Sequence, residues 1–295
     1  MKVRIGVGSG AGFSGPADLA AIVDGITAHH LDSLWLSEVL SSPVPDPLVG
    51  LAFAAAHDAR VKLGTTMLLP GRNLLRLAKA LATLDALSSG RLLVTFVPGL
   101  VAGRERFAVG VVPARRRGAI AELLPILRRL LSGETVNHVG EHVELHDARI
   151  EVRPVQQPLE FWLGGMAPAS LALCGRLGDG WLPASCTPAE VAAGRRIVEE
   201  AAAAAGRTIS PEHFGVSIGY ARAPLAPEVA AAVAARGRGN PPEALVPVGL
   251  GALRRQIEEF IAVGFSKFVV RPIGPAPSWP EELADLAAAL GDLQT

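Results

Sequence analysis

Short apolar runs alternate with longer stretches of helical spacing along nearly all of this 295-residue chain, and that rhythm limits the possible folds more than any single residue does. Runs at residues 3–7, 33–36, 62–68, 92–97, 160–164, 180–183, 214–221 and 267–271 read as strands. Stretches at 16–29, 48–59, 74–87, 116–131, 169–177, 188–205, 227–235, 253–263 and 280–290 read as helices, and 236–250 reads as a Gly- and Pro-rich loop. Strands joined by helical crossovers run parallel. Eight such units close into a (β/α)8 TIM barrel, which is the expected fold. Residues 135–146 break the rhythm by alternating around Gly140, so a small β-hairpin is expected as an insertion after the fourth helix. With no linker visible, the expectation is a single domain over residues 1–295. The competing architecture is an open doubly wound sheet. It would use Gly10-Ala11-Gly12-Phe13-Ser14-Gly15 as a dinucleotide turn, with Glu38 closing the second strand, but Gly8 and Ser9 separate the first strand from that motif.

Composition removes several function classes. At 49% hydrophobic and 19% charged, the chain is not a disordered one. Lys plus Arg equals Asp plus Glu at 28 each, so no net charge draws it to nucleic acid or an anionic membrane. Cys174 and Cys186 make neither a disulfide framework nor a zinc spacing. Met1-Lys2-Val3-Arg4-Ile5 places charges where a signal peptide needs apolar residues, and no apolar run reaches the ~18 residues of a membrane span. A cytoplasmic protein is expected. His138, His142 and His146 alternate on the hairpin as a solvated face, Arg115-Arg116-Arg117 reads as a helix start or rim, and no metal site is expected.

Active sites of such barrels lie at the C-terminal strand ends. Titratable groups there are few, led by Glu38, Arg72, Arg104, Glu105, Arg222 and Arg271. That scarcity favours holding a bulky cofactor over hydrolysis by paired carboxylates. At the same strand ends stand five motifs: Leu31-Asp32-Ser33-Leu34-Trp35-Leu36-Ser37-Glu38; Leu63-Gly64-Thr65-Thr66-Met67-Leu68-Leu69-Pro70-Gly71-Arg72; the long run from Leu77 through Leu84-Asp85-Ala86-Leu87-Ser88-Ser89-Gly90-Arg91-Leu92; Phe161-Trp162-Leu163-Gly164-Gly165; and Gly178-Asp179-Gly180-Trp181-Leu182-Pro183. In this order, over nearly the whole chain, they resemble the luciferase-like monooxygenase family of flavin- and deazaflavin-dependent oxidoreductases. The resemblance implies a redox enzyme holding FMN or the deazaflavin coenzyme F420 above the barrel mouth. The short chain and compact insertion look more like the F420 branch, which transfers hydride to or from a small organic substrate. An FMN-dependent monooxygenase is the alternative within the family, and a non-catalytic cofactor-binding barrel is the alternative of another class.

The resemblance also implies a cofactor platform at Thr66 and Met67, joined by a non-prolyl cis peptide. The Gly164-Gly165-Met166 turn is expected to contact the cofactor, its backbone N–H groups suiting a phosphate; a plain tight turn is the other account. Ser185 and Thr187 would donate hydroxyls to the same phosphate, unless Thr187 caps the helix at Pro188. Arg271, ending the eighth strand, would pair with the cofactor's phosphate or acidic tail, or else form a structural ion pair. Glu38 is the candidate catalytic acid/base, with a helix cap as its alternative; Val39 stands where family members often carry His. A surface ion pair with Arg104 or Arg106 is expected for Glu105. A homodimer is expected through the helices after the second and third strands, with Leu48, Leu51, Phe53, Leu81 and Leu84 as the apolar surface.

Overall fold

The computed structural model describes residues 1–10, 13, 15–99, 105–274 and 278–295. Its strands are β1 (Arg4–Gly8), β2 (Ser33–Ser37), β3 (Lys62–Leu68), β4 (Leu92–Val97), β5 (Val136–Val139), β6 (Glu144–Ala148), β7 (Phe161–Leu163), β8 (Gly180–Trp181), β9 (Gly215–Tyr220) and β10 (Lys267–Pro272). The helices are α1 (Pro16–Ala28), α2 (Pro47–His57), α3 (Leu74–Leu87), α4 (Arg116–Ser132), α5 (Pro168–Leu177), α6 (Pro188–Ala204), α7 (Pro227–Ala234), α8 (Pro242–Leu245), α9 (Leu250–Ala262) and α10 (Trp279–Leu290). Six of these (α1, α2, α5, α6, α7 and α8) start on proline, whose fixed φ suits a first helical turn and whose missing N–H is not needed there. The four-residue α8 lies inside the stretch expected to be loop.

Eight parallel strands form one sheet in the order β8-β7-β4-β3-β2-β1-β10-β9. Its two ends meet. Trp181 N–H donates to His213 O at 2.9 Å and Ser217 N–H to Pro183 O at 2.9 Å, so β8 joins β9 and the barrel closes. Closure excludes the open doubly wound sheet. Ala11, Gly12 and Ser14 of the glycine motif lie outside the described residues. β8 is shorter than expected because Pro183 has no N–H for the ladder and Ser185 turns the chain at φ 52°. The hairpin β5–β6 starts one residue later than expected and ends two later, at Ala148, and its two strands form a sheet of their own.

Strand alternation sorts the side chains into two cores. Leu34, Leu36, Phe96, Phe161, Phe268 and Val270 pack outward against the helices. Trp35, Leu182 and Val269, with Leu93 and Trp162, form a separate cluster inside the barrel. No helix among the described residues is long and apolar enough to cross a membrane.

Candidate functional site

The mouth is built on glycine and a lone cation. On β10 the odd positions face inward, as Val269 shows, which aims Arg271 at the lumen's C-terminal end. Its neighbours across the ladder are Gly8 and Gly219. A Cβ on Gly8 would lie 3.2 Å from Arg271 Cβ, and one on Gly219 would lie 3.8 Å from Arg271 Cζ. A side chain at Gly8 would crowd the Arg271 stem, and one at Gly219 would clash with Ile273, 2.4 Å away. Among the described residues no ion pair or hydrogen bond neutralises it. Desolvation pushes its pKa below the ordinary guanidinium value, and the nearby charge of Arg236 pushes it further the same way. At the end of β1, Ser9 Oγ is also buried and has no hydrogen-bond partner among the described residues. A half-enclosed cation that feels the charge of a second one is the chemistry of an anion site.

The Gly164-Gly165 turn is placed by side chains from elsewhere in the motifs. Gly164 N–H donates to Phe96 O at 2.9 Å, and the Trp181 indole N–H donates to Gly165 O at 3.0 Å. Gly165 has φ 110°, a backbone region that glycine tolerates and other residues resist. Helix α5 follows with Ala167 at its N-cap and no side-chain cap; Pro168 has no N–H and Ser170 N–H donates to Ala167 O at 2.8 Å, so the Ala169 N–H is the first-turn donor left over. Met166 is half-buried and packs on the strand–helix core.

Glu38 is more constrained than the sequence suggests. Its side chain is 6% exposed. Oε2 accepts from Leu68 N–H at 2.7 Å, and Oε1 is bonded by Arg72, whose Nε also donates to Leu68 O at 2.9 Å. The carboxylate thus ties the exit of β3 to the exit of β2. Both oxygens are engaged, an arrangement that suits holding the strand end better than exchanging a proton. Val39, next to it, is 40% exposed.

Strand parity separates Thr66 from Met67. Thr66 shares its face with Gly64, which packs on the lumen's Trp35, and so faces the mouth. Met67 is fully buried in the strand–helix core, so its side chain does not reach the mouth. The cis peptide expected between them is absent: β3 keeps regular register with β4 through Thr66, Met67 and Leu68, and the cis bond among the described residues is Gln157–Pro158. The Thr187 hydroxyl accepts from Glu190 N–H at 3.3 Å while Glu190 returns a bond to Thr187 N–H at 2.8 Å, so it caps α6. Ser185 is half-buried beside it, its carbonyl held by Arg238 at 2.6 Å. Arg222 is withdrawn from the mouth by Glu282 and Asp285, at 3.0 and 2.9 Å.

Glu105 is not a surface ion pair. It is 8% exposed and accepts from the Ser41 N–H and hydroxyl, each at 2.8 Å. Burial alone would raise its pKa, but the bonds from Ser41 and from the Leu40 backbone outweigh that and hold it below the ordinary value. Arg104 lies outside the described residues. The hairpin histidines go to carboxylates: His138 lies 3.2 Å from Glu122, whose oxygens also take His142 N–H, and His146 lies 2.8 Å from Glu144. Arg236 was missed in the sequence because the stretch from 236 has no periodicity to give it a direction.

A closed (β/α)8 barrel with an anion-ready, glycine-floored mouth defines a class of barrel suited to a phosphate-bearing ligand. Comparison with known proteins narrows the class. The family described as luciferase-like monooxygenase matches residues 2–259, and the chain belongs to that family. It is 30% identical over 223 residues to the F420-dependent glucose-6-phosphate dehydrogenase of Amycolatopsis mediterranei (strain U-32), covering 70% of this chain and 66% of that protein. It is 30% identical over 201 residues to limonene 1,2-monooxygenase of Rhodococcus erythropolis, covering 64% and 52%. These matches thus span between half and two thirds of the relatives' own length. Among solved structures, the F420-dependent tetrahydromethanopterin reductase of Methanopyrus kandleri aligns with a TM-score of 0.78 at 21% identity over 99% of this chain and 98% of that one. An F420-dependent secondary alcohol dehydrogenase in complex with an F420-acetone adduct aligns at 0.81 and 16% over the full length of both. Both likenesses bear out the barrel fold.

Proposed function

We propose that this chain is an F420-dependent oxidoreductase transferring a hydride between the deazaflavin and a small organic substrate. The observation that carries it is Arg271 at the barrel mouth, next to Gly8 and Gly219 and without a neutralising partner among the described residues. Burying a cation without a partner is costly, so a fold that keeps one at its mouth is suited to an anionic ligand. The F420-named relatives and structures support the choice of cofactor.

The cofactor, when bound, supplies the hydride chemistry; the protein's part is position and environment. Arg271 and Arg236 would hold a phosphate or acidic tail, with Ser9 Oγ as a hydrogen-bonding group. The Gly164-Gly165-Met166 turn and the first turn of α5 would offer backbone N–H groups, and Ser185 a hydroxyl. Thr66 would face the ring from β3, Met67 contributing backbone alone. Glu38 and Arg72 would keep the β3 exit rigid. Val39 carries no proton, so the reaction would not use a His-based transfer at that place.

Titrating the purified chain with F420 and with FMN tests the reading. F420 is expected to bind with a Kd of about 1 μM or tighter and FMN at least ~10-fold more weakly, with the F420 affinity falling as salt rises. Arg271→Met should weaken F420 by roughly 10-fold or more. The monooxygenase relatives sustain a second reading: tight FMN binding with no measurable F420 binding would assign the chain to the FMN-dependent monooxygenases. Tight cofactor binding without turnover over a broad substrate panel would mark a non-catalytic cofactor-binding barrel.

A further inference from the structure

The enclosed space of this barrel lies at the opposite end from the mouth. A cavity of about 150 Å3 opens between Arg4, Lys62 and Lys267, which stand at the starts of β1, β3 and β10. Its inner walls are the lumen cluster: Trp35, Trp162, Leu93, Leu182 and Val269. Glycines make room for the two indoles. A Cβ on Gly64 would sit 2.2 Å from the Trp35 ring, and one on Gly180 would sit 2.4 Å from the Trp162 ring. The lumen is therefore lined by aromatic faces set flat against backbone, and the space they leave is not refilled by another side chain.

Two buried hydroxyls interrupt this apolar wall: Ser33 Oγ, which accepts from the Trp35 indole N–H at 2.9 Å, and that of Thr95. Thr95 on β4 is fully buried, lines the cavity, and pairs in register with Trp162. Its Oγ1 has no hydrogen-bond partner among the described residues. Buried hydroxyls are nearly always bonded, so one in the wall of this cavity points to an occupant that completes it. The rim charges balance: Lys62 and Arg4 both reach Asp32, at 2.8 and 3.5 Å, Lys267 reaches Glu212 at 3.3 Å, and Glu160, 3.7 Å from His213, is a further carboxylate on the lining. A neutralised rim does not select for an ion. Apolar cavities of about 150 Å3 elsewhere hold a single benzene ring.

We propose that the N-terminal end of the lumen is a second binding site, separate from the mouth, for a small neutral aromatic molecule carrying one hydrogen-bonding group, of the phenol class. The ring packs against Trp35 and Trp162, and the polar group bonds Thr95 Oγ1. The site stands apart from the cofactor reading and does not depend on it.

Titration of the full chain with phenol, followed by calorimetry and by tryptophan fluorescence, tests the site, with toluene as the ring without the polar group. Phenol is expected to bind once per chain with a Kd of about 1 mM or below, and toluene about 10-fold more weakly. Thr95→Val keeps the side-chain shape and should bring phenol down to the toluene value. Leu93→Phe should fill the space and weaken both ligands at least ~10-fold; Val269→Ile serves the same purpose if that variant does not fold. No phenol binding to the unaltered chain overturns the proposal and leaves a solvent cavity. Phenol affinity unchanged in both Thr95→Val and the filling variant overturns it as well, by placing the ligand elsewhere. F420 titrated into the same samples reports on the mouth, so loss of either site is read independently.

Discussion

At the scale of single residues, Glu38 and Glu105 show how buried carboxylates here serve the backbone. Glu38 accepts from a strand-end N–H with one oxygen and from Arg72 with the other. Glu38→Gln would replace one acceptor with an NH2 donor facing Arg72. Cofactor affinity and kcat are expected to fall together, by about 10-fold each, in a titration paired with steady-state kinetics. A ~100-fold loss of kcat with an unchanged cofactor Kd would instead make Glu38 the proton-transfer group. Glu105 supports a pH prediction. Its folded pKa is depressed, so its stabilising effect is present above its ordinary value of 4.5 and is lost as pH falls through the folded value. Wild type should melt higher than Glu105→Gln at pH 7, and the gap should close towards pH 3; a gap that is constant or widens in acid would refute the assignment. The sequence showed Glu105 beside two arginines and suggested a surface pair. It hid Ser41, which lies 64 positions away.

At the scale of elements, the family motifs turn out to be staples as much as site. In the long run from Leu77 to Leu92, Asp85 is fully buried and takes both the N–H and the side-chain amide of Gln156, at 2.9 and 2.7 Å. In the motif before β8, Asp179 takes Phe161 N–H at 2.8 Å and pairs with Arg128 and Arg207 at 2.7 and 3.2 Å. These bonds set the start of β7 and thereby the turn at its end. Thr187 belongs to the same account. With its hydroxyl committed to the cap of α6, Thr187→Ala should lower stability by about 1 kcal/mol in denaturant unfolding while leaving cofactor affinity within ~3-fold. A drop in affinity beyond ~10-fold with stability unchanged would return the hydroxyl to the cofactor site. Helix starts of this kind were legible because capping is local: Thr187, Pro188 and Glu190 stand within one turn. The roles of Asp85 and Asp179 were not, since their partners are brought in by closure of the barrel.

At the scale of the whole molecule, the outer face of α2 is the surface that bears on assembly. We propose a homodimer built on that face. Of the residues expected to form it, Leu51 and Leu81 are fully buried and Leu84 is 4% exposed, so they belong to the core. Leu48 is half-buried against the core and Phe53, at 42%, remains outside; Val49 at 69%, not among those expected, joins it on α2, with Leu40 at 53% in the preceding loop. Light scattering at ~10 μM should give a dimer for the unaltered chain and a monomer for Val49→Glu, since a charge in an apolar interface is strongly unfavourable. A monomeric unaltered chain would remove the dimer and leave the barrel untouched. The alternation of strand and helix, the inserted hairpin, the helix starts on proline and the candidate strand ends were all determined by the sequence itself, because each rests on periodicity or on contacts within a few residues. Tertiary structure alone decided which strand-end residues meet. It turned Thr66 to the mouth and Met67 to the core, a difference of one position in a pleat. It committed Glu38 to Arg72 and Arg222 to Glu282, and it left Arg271 without a partner among the described residues. Those outcomes depend on the register and closure of eight strands, which fix distances between residues hundreds of positions apart, and no local pattern carries that information.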